Sequence, residues 1–168
     1  MSHVEHKEIS GGIQARCAVI TLSDTRNEAT DTSGAKIKTL LGGEHHLVNY
    51  YAIIPDEPRD LSRLLEDLIS SPDIDVILTN GGTGISRRDH TIPVIEKHLT
   101  TVLSGFGELF RMLSYQQIGS SAMMSRAVAG MAKDKLVFAM PGSTAAVELA
   151  MTKLILPELK HLLGQMRK

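Results

Sequence analysis

The amino-acid sequence predicts an α/β domain of three layers, with helices on both faces of a mostly parallel central sheet. Two observations carry that reading. Short apolar runs alternate along the chain with longer stretches whose apolar residues recur at three- and four-residue steps, the signatures of strand and helix. The short runs are apolar throughout, as strands covered on both faces are. Composition agrees: 168 residues, 42% hydrophobic and 22% charged, describe a globular chain and exclude a disordered, collagen-like or coiled-coil one. A chain of this length buries about 70% of the surface its unfolded form exposes.

The elements follow in order. Residues 1–12 are polar, with His3, Glu5, His6, Lys7 and Glu8, and read as a flexible N-terminal arm; residues 13–168 are expected to form a single domain. Ala15 to Leu22 is an apolar run that ends in Ser23-Asp24, as a buried strand would. Asp31-Thr32-Ser33-Gly34 offers N-cap chemistry to a helix with Ile37, Leu40 and Leu41 on one face, and Gly42-Gly43 is expected to close it. Leu47 to Ile54 reads as a second strand, stopped by Pro55-Asp56-Glu57-Pro58. From Arg59 onward Leu61, Leu64, Leu65 and Leu68 mark an amphipathic helix. Ile74 to Thr79 is a third strand and Thr91 to Leu99 a helix. Gly105 to Gly130 mixes helical spacing with glycines and resists assignment. Leu136 to Met140 is a further strand, and Pro141-Gly142-Ser143-Thr144 opens a helical tail that Pro157 is expected to split.

Charge and composition exclude several partners. Lys and Arg (18) nearly balance Asp and Glu (19), and the chain has no Trp, three Tyr and three Phe. Neither the basic footprint nor the stacking platforms of a nucleic-acid binder are present. No window approaches the ~20 apolar residues of a membrane span, and the first residues lack a signal-peptide core. The reading is a soluble cytoplasmic protein. A lone Cys17 allows no internal disulfide and no thiolate metal site. The histidines show no zinc-ligand spacing.

Parallel strands bring their carboxyl ends to one sheet edge, where ligands bind. Four segments are expected there: Ser23-Asp24, Asp56-Glu57, the loop from Gly81 to Asp89, and Pro141 to Thr144. In Asn80-Gly81-Gly82-Thr83-Gly84 the glycines let backbone N–H groups turn inward on a phosphate or other anion; a plain tight turn is the alternative. The loop lacks the Gly-Lys-Ser/Thr ending of a Walker loop and, with Arg87 at the third glycine position, is not a dinucleotide fingerprint. Pro141-Gly142-Ser143 is a second strand-to-helix turn, able to hold an anion or simply to cap its helix. Asp56 and Asp89, with Asp24 and Asp31 further out, are carboxylates that could hold Mg²⁺ beside phosphates. Asp89 could equally cap the next helix and Asp56 close an Asx turn. Arg87 and Arg88 could neutralise phosphate or remain solvated. Two anion turns on one edge suit a phosphorylated metabolite or nucleotide.

Thr79 to Asp89 (TNGGTGISRRD), Gly105 to Gly130 (GFGELFRMLSYQQIGSSAMMSRAVAG), Met140 to Thr144 (MPGST) and Thr21 to Arg26, with the downstream Asp31-Thr32-Ser33-Gly34, resemble the MoaB/MogA family of molybdenum cofactor biosynthesis, and GFGELFRMLS resembles the MoaB branch in particular. The likeness runs from about Arg16 to Leu162. It implies the three-layer α/β/α fold of that family and the activity of a molybdopterin adenylyltransferase, which joins molybdopterin to the AMP part of Mg-ATP and releases pyrophosphate. It implies Mg²⁺ as cofactor, ATP and molybdopterin as substrates, and assembly as a trimer or, in the MoaB branch, a hexamer, with other proteins of the pathway as further partners. Carried over by motif, it implies functional roles for Asp56 and Asp89 in metal holding and catalysis. It implies substrate or nucleotide binding at Ser23, Asp24, Gly81, Gly82, Thr83, Gly84, Pro141, Gly142 and Ser143. Asn80 stands where many relatives have Thr, and Gln116-Gln117 where many MoaB sequences carry an acidic pair.

Three functions remain open at this level: the adenylyltransferase, a non-catalytic molybdopterin or nucleotide binder of the same fold, and an oligomeric interaction protein. The paired Asp56 and Asp89 favour the enzyme. Phe106, Phe110 and Leu113 are either core or subunit contact, and Met112, Met123 and Met124 either packing or subunit contact.

Overall fold

The computed structural model describes residues 12–168; the expected arm lies outside them except for Gly12, an exposed turn residue. Among the described residues one sheet has the order β2-β1-β3-β6-β5-β4, with β1 Arg16–Leu22, β2 Leu47–Ile54, β3 Val76–Asn80, β4 Thr101–Val102, β5 Val128–Ala132 and β6 Lys135–Met140. β2, β1, β3 and β6 are parallel; β5 runs antiparallel to β6, and β4 to β5. The predicted parallel sheet is present, extended by an antiparallel edge that no strand had been assigned to. β4 is only two residues long, and β5 (VAGMA) is too rich in small residues to read as a strand.

The helices are α1 (Thr32–Gly43), α2 (Pro58–Ser70), α3 (Thr91–His98), α4 (Ser104–Ile118), α5 (Thr144–Ala150) and α6 (Leu156–Met166), with a 3₁₀ segment at Gly119–Met124. They form the two outer layers. On one face Cys17, Val19, Val76, Leu78, Leu136 and Phe138 pack against Ile37 and Leu41 of α1, Phe106 and Phe110 of α4, and Val147, Leu159 and Leu163 of the C-terminal helices. On the other, Ala18, Ile20, Ile77 and Val137 meet Leu61, Leu65 and Leu68 of α2 and Ile92 and Ile95 of α3. Adjacent strand residues thus serve opposite cores, which is why the strand runs are apolar throughout. Phe106 meets Phe138 edge-on, ring centres 5.4 Å apart. Phe106 and Phe110 are therefore core residues, each burial contributing roughly 1.5–3 kcal/mol, and Leu113 packs partly buried against the same core.

Local chemistry shapes the helix ends. Asp31 caps α1 by accepting from the Gly34 amide at 2.9 Å. The other end departs from expectation: Gly42 and Gly43 lie inside the last turn, and the left-handed residue is His45, at φ 62°. The His45 and His46 amides donate back to the Gly42 and Leu41 carbonyls, a Schellman closure made without glycine. Pro157 does not split the tail either. A wide turn over Met151–Ile155, closed by the Leu156 amide on the Met151 carbonyl, carries the helix through. The extra residue in that turn re-routes the ladder around a proline that has no N–H to give.

Register decides where function can sit. Leu22 pairs with Ile54, Thr21 with Asn80, and Asn80 with Met140. The parallel strands end level, so Ser23, Pro55, Gly81 and Pro141 leave the sheet side by side.

Candidate functional site

A cleft of about 550 Å³ opens on this edge, lined by Ser23, Arg26, Gly81, Gly82, Thr83, Gly84, Asp89, Pro141 and Gly142. The segments expected to converge from β1, β3 and β6 do so. Gly81 and Gly82 take φ 98° and 63°, which side-chain-bearing residues rarely adopt. The space beside Gly82 is filled as well: a Cβ there would lie 2.5 and 2.7 Å from the two Asp56 carboxylate oxygens. The second glycine of the loop is therefore where Asp56, itself 9% exposed, comes against it. Among the described residues the Gly82 and Thr83 amides have no acceptor, and both residues line the cleft.

Asp89 approaches the same loop from its far end. Its carboxylate accepts from the Ser86 amide at 2.8 Å, and a Cβ on Gly84 would lie 2.7 Å from one of its oxygens. The residue that caps α3 is His90, and neither the helix-cap role for Asp89 nor the Asx turn for Asp56 is used. The two carboxyls are biased in opposite directions. Burial, and then the charge of Asp89, push Asp56 above its ordinary value, against the opposing pull of the His90 amide. Burial also pushes Asp89 upward, but the hydrogen bonds from Ser86 and Gly84 and the charge of Arg126 outweigh it and hold Asp89 below its ordinary value. A pair split in this way is a recurring feature of reactive sites.

The remaining predicted residues take other places. Asp24 is exposed; it accepts from the Asp56 amide at 3.1 Å and pairs with Arg88 at 2.8 Å, while Arg88 also reaches Glu57 at 2.8 Å. Arg88 thus ties together the loops after β1, β2 and β3, and Arg87 is exposed. Ser143 caps α5 through the Ala146 amide at 3.2 Å. Asp31 is a buried structural residue: besides Gly34 it accepts from Thr21 Oγ1 at 2.6 Å and Tyr51 Oη at 2.7 Å, with Arg26 at 3.6 Å. Asn80 continues that network by donating to Thr21 Oγ1 at 2.9 Å.

Sequence reading missed two contributors. The 3₁₀ segment and the residue after it bring Ser121, Met124 and Ser125 to the cleft. Arg126 reaches the loop from behind, donating to the carbonyls of Thr83 (3.0 Å), Gly84 and Asp89 (3.1 Å). A charged residue just ahead of an apolar run was the one signal available, and it gave no indication of a target forty residues away. A second cavity of about 540 Å³ between α1 and α6, beside Lys160 and His161, holds none of the predicted residues.

Among the described residues no group of three or more His, Cys, Asp or Glu side chains converges on a common point. Asp56, from the loop after β2, and Asp89, at the far end of the loop after β3, fit a different donor set, a cation that arrives with phosphates and takes one or two protein carboxylates. No helix among the described residues is long and apolar enough to cross a membrane.

Known proteins resemble this chain in sequence and fold. Residues 18–161 match the family model described as "Probable molybdopterin binding domain". Molybdenum cofactor biosynthesis protein B of Bacillus cereus is 47% identical over 169 residues, spanning 100% of this chain and 99% of that protein; its Staphylococcus carnosus counterpart is 44% identical over 171 residues, covering 100% of both. A crystal structure of a molybdenum cofactor biosynthesis protein B superposes with a TM-score of 0.90 at 48% identity, over 92% of this chain and 97% of that one. The tungsten cofactor synthesizing protein MoaB of Pyrococcus furiosus superposes with a TM-score of 0.82 at 36% identity, over 92% and 98%. The chain belongs to the MoaB/MogA family of molybdenum cofactor biosynthesis proteins.

Proposed function

We propose that this protein is a molybdopterin adenylyltransferase. A phosphate oxygen of molybdopterin attacks the α-phosphorus of ATP; the bond from that phosphorus to the bridging oxygen breaks, and pyrophosphate leaves with the electron pair. The observation that carries the reading is the placement of Asp56 and Asp89 against one glycine loop whose Gly82 and Thr83 amides find no acceptor among the described residues. The attacking oxygen is already anionic, so no strong general base is needed. What the reaction demands is neutralised phosphate charge and a fixed approach. The amides of the loop hold phosphate oxygens, and the second turn, Pro141-Gly142, forms the opposite wall of the cleft.

Asp56 and Asp89 are the residues that would hold Mg²⁺, which, when bound, neutralises charge on the triphosphate and the departing pyrophosphate. Ser23, on the cleft wall, contacts substrate; Asp24 and Ser143 support the two turns, through the Asp56 amide and the cap of α5.

The protein also self-associates, as a trimer or hexamer. Leu109, Met112, Tyr115 and Ile118 are 47%, 53%, 63% and 53% exposed along α4, with Met123 at 79% beyond it, an apolar stripe of the kind that subunit contacts cover.

The test is molybdopterin-dependent pyrophosphate release from Mg-ATP, run beside Asp89→Asn. Release that requires molybdopterin and collapses in the variant is the expected result. Tight molybdopterin binding without release would make the protein a binder.

A further inference from the structure

A polyphosphate brings several negative charges into the cleft, and among the residues that line it one side chain is a cation, Arg26. The neighbouring arginines are committed elsewhere. Arg126 donates to three backbone carbonyls behind the loop, Arg88 bridges Asp24 and Glu57, and Arg87 is exposed and off the cleft wall. Arg26 is fixed through its own backbone, whose amide donates to Ser23 Oγ at 3.1 Å in the turn that follows β1. One terminal nitrogen of its guanidinium donates to the Gly142 carbonyl at 3.1 Å, and the other lies 3.6 Å from Asp31 Oδ1. Gly142 in turn packs against Gly81. The guanidinium therefore stands at the start of the glycine loop, the loop whose Gly82 and Thr83 amides find no acceptor among the described residues.

Its donors are mostly unspent. Asp31 already accepts from Thr21, Tyr51 and the Gly34 amide, and at 3.6 Å it offers Arg26 charge without a hydrogen bond. Among the described residues the Gly142 carbonyl is the one hydrogen-bond acceptor of a guanidinium that carries five N–H donors. On the far side of Arg26 a further cavity opens, of about 420 Å³, lined by Asn27, Tyr51, Ala52 and Ile53 beside the edge strand β2. It shares two residues with the cleft, Ser23 and Arg26. A ligand that extends from one chamber into the other passes this guanidinium.

We propose that Arg26 is a phosphate-binding residue of this site, its guanidinium holding phosphate oxygens where the two chambers meet, beside the loop amides. A planar fork donates two parallel N–H bonds to one phosphate, and a half-buried position strengthens the attraction over that in water. Which phosphate it holds rests on the adenylyltransferase reading, under which it is the α-phosphate of ATP, flanked by the leaving pyrophosphate. As the molybdopterin oxygen bonds to that phosphorus, the bridging oxygen departs with its electron pair and no proton leaves Arg26. The guanidinium stays a cation throughout and offsets charge on the oxygens around the reacting phosphorus.

The test is calorimetric binding of Mg-ATP and of inorganic pyrophosphate to the wild-type chain, Arg26→Gln and Arg26→Lys. Molybdopterin-dependent pyrophosphate release and the urea midpoint are measured alongside. Both anions are expected to bind about tenfold or more weakly to Arg26→Gln, and kcat to fall by more than KM for ATP rises. Arg26→Lys, which keeps the charge and loses the fork, recovers part of the affinity. Added salt weakens binding to the wild type more steeply than to Arg26→Gln. A merely structural arginine would lower the urea midpoint and leave the affinity of the folded protein unchanged. That result, or affinities and kcat equal to the wild type in Arg26→Gln, overturns the proposal, as does a wild-type chain that binds neither anion. Should Arg26→Gln not fold, Arg26→Lys carries the test, and wild-type affinities with wild-type kcat overturn the proposal there. Arg26-dependent binding of both anions without pyrophosphate release overturns the adenylyltransferase reading and leaves this one standing; release that Arg26→Gln does not alter does the reverse.

Discussion

Gly142 faces Gly81 so closely that a Cβ on Gly142 would lie 3.0 Å from the Gly81 Cα and 3.3 Å from its nitrogen. The turn after β6 and the loop after β3 touch through backbone, which makes the walls of the cleft one unit. Gly142→Ala must push directly on the loop. Overpacking of this kind costs about 1–3 kcal/mol, so denaturant unfolding is expected to show a lowered midpoint with an unchanged slope, and calorimetry a weaker affinity for Mg-ATP. An unaltered midpoint and affinity would mean the turns move independently.

Asp56 and Asp89 are expected to affect stability with opposite signs. Asp56 is raised above its ordinary value by burial and by Asp89, so the native state binds its proton more tightly than the unfolded chain does. Its contribution is full below the unfolded pKa and is lost as pH rises through the folded one. Asp56→Asn is therefore expected to be more stable than the wild type at neutral pH, with the difference vanishing in acid. Asp89 is lowered on balance, burial opposing and the Ser86 and Gly84 hydrogen bonds prevailing. Its contribution is present above the unfolded pKa and lost as pH falls through the folded one. Asp89→Asn is expected to be less stable at neutral pH. Urea midpoints across pH, beside pyrophosphate release, check both; turnover should fall in each.

His46 sets an acid limit. It is buried, and its Nδ1 accepts from the Ala15 amide at 3.0 Å, which requires the neutral ring. Burial, then the charge of Lys160, hold it below the ordinary 6.5. The unfolded chain therefore takes up the proton first, and stability is lost as pH falls below about 6.5 toward the folded value. His46→Asn, which keeps an acceptor for Ala15, should flatten that part of the pH–stability curve. An equal slope in both proteins would assign the loss to other groups.

Asp31 joins three elements. It caps α1 through Gly34, and it accepts from Thr21 on β1 and Tyr51 on β2. Asp31→Ala removes the cap and leaves the buried Thr21 hydroxyl and the half-buried Tyr51 hydroxyl without this acceptor, a loss of about 2–4 kcal/mol. Thermal unfolding followed by circular dichroism should show it, and a loss below ~1 kcal/mol would mean that water replaces the carboxylate.

His45 and Lys133 hold φ of 62° and 54°. Glycine at either site removes a Cβ penalty and is expected to add about 0.5–1 kcal/mol to stability, less the entropy glycine gains in the unfolded chain. A destabilised His45→Gly would show that the imidazole, not the backbone, matters at the end of α1.

The sequence by itself determined the alternation of strand and helix, the sheet edge at which the loops after β1, β3 and β6 meet, and the loop Gly81–Gly84 with its neighbours. Asp31 as a helix cap and the leucine face from Leu61 to Leu68 were legible for the same reason: caps, turns and amphipathic periods act over three or four residues, and one sequence window contains them. Other features were decided only by the tertiary structure. The small residues of β5 form a strand because β6 is paired beside it, and His45 adopts a left-handed conformation because the Leu41 and Gly42 carbonyls need donors. Asp56 meets Gly82, and Arg126 meets Thr83 and Asp89, across 26, 43 and 37 positions of chain. Such pairings carry no local period. They form because the parallel strands end level and bring their following loops together, and a half-buried guanidinium behind those loops satisfies the carbonyls it meets there.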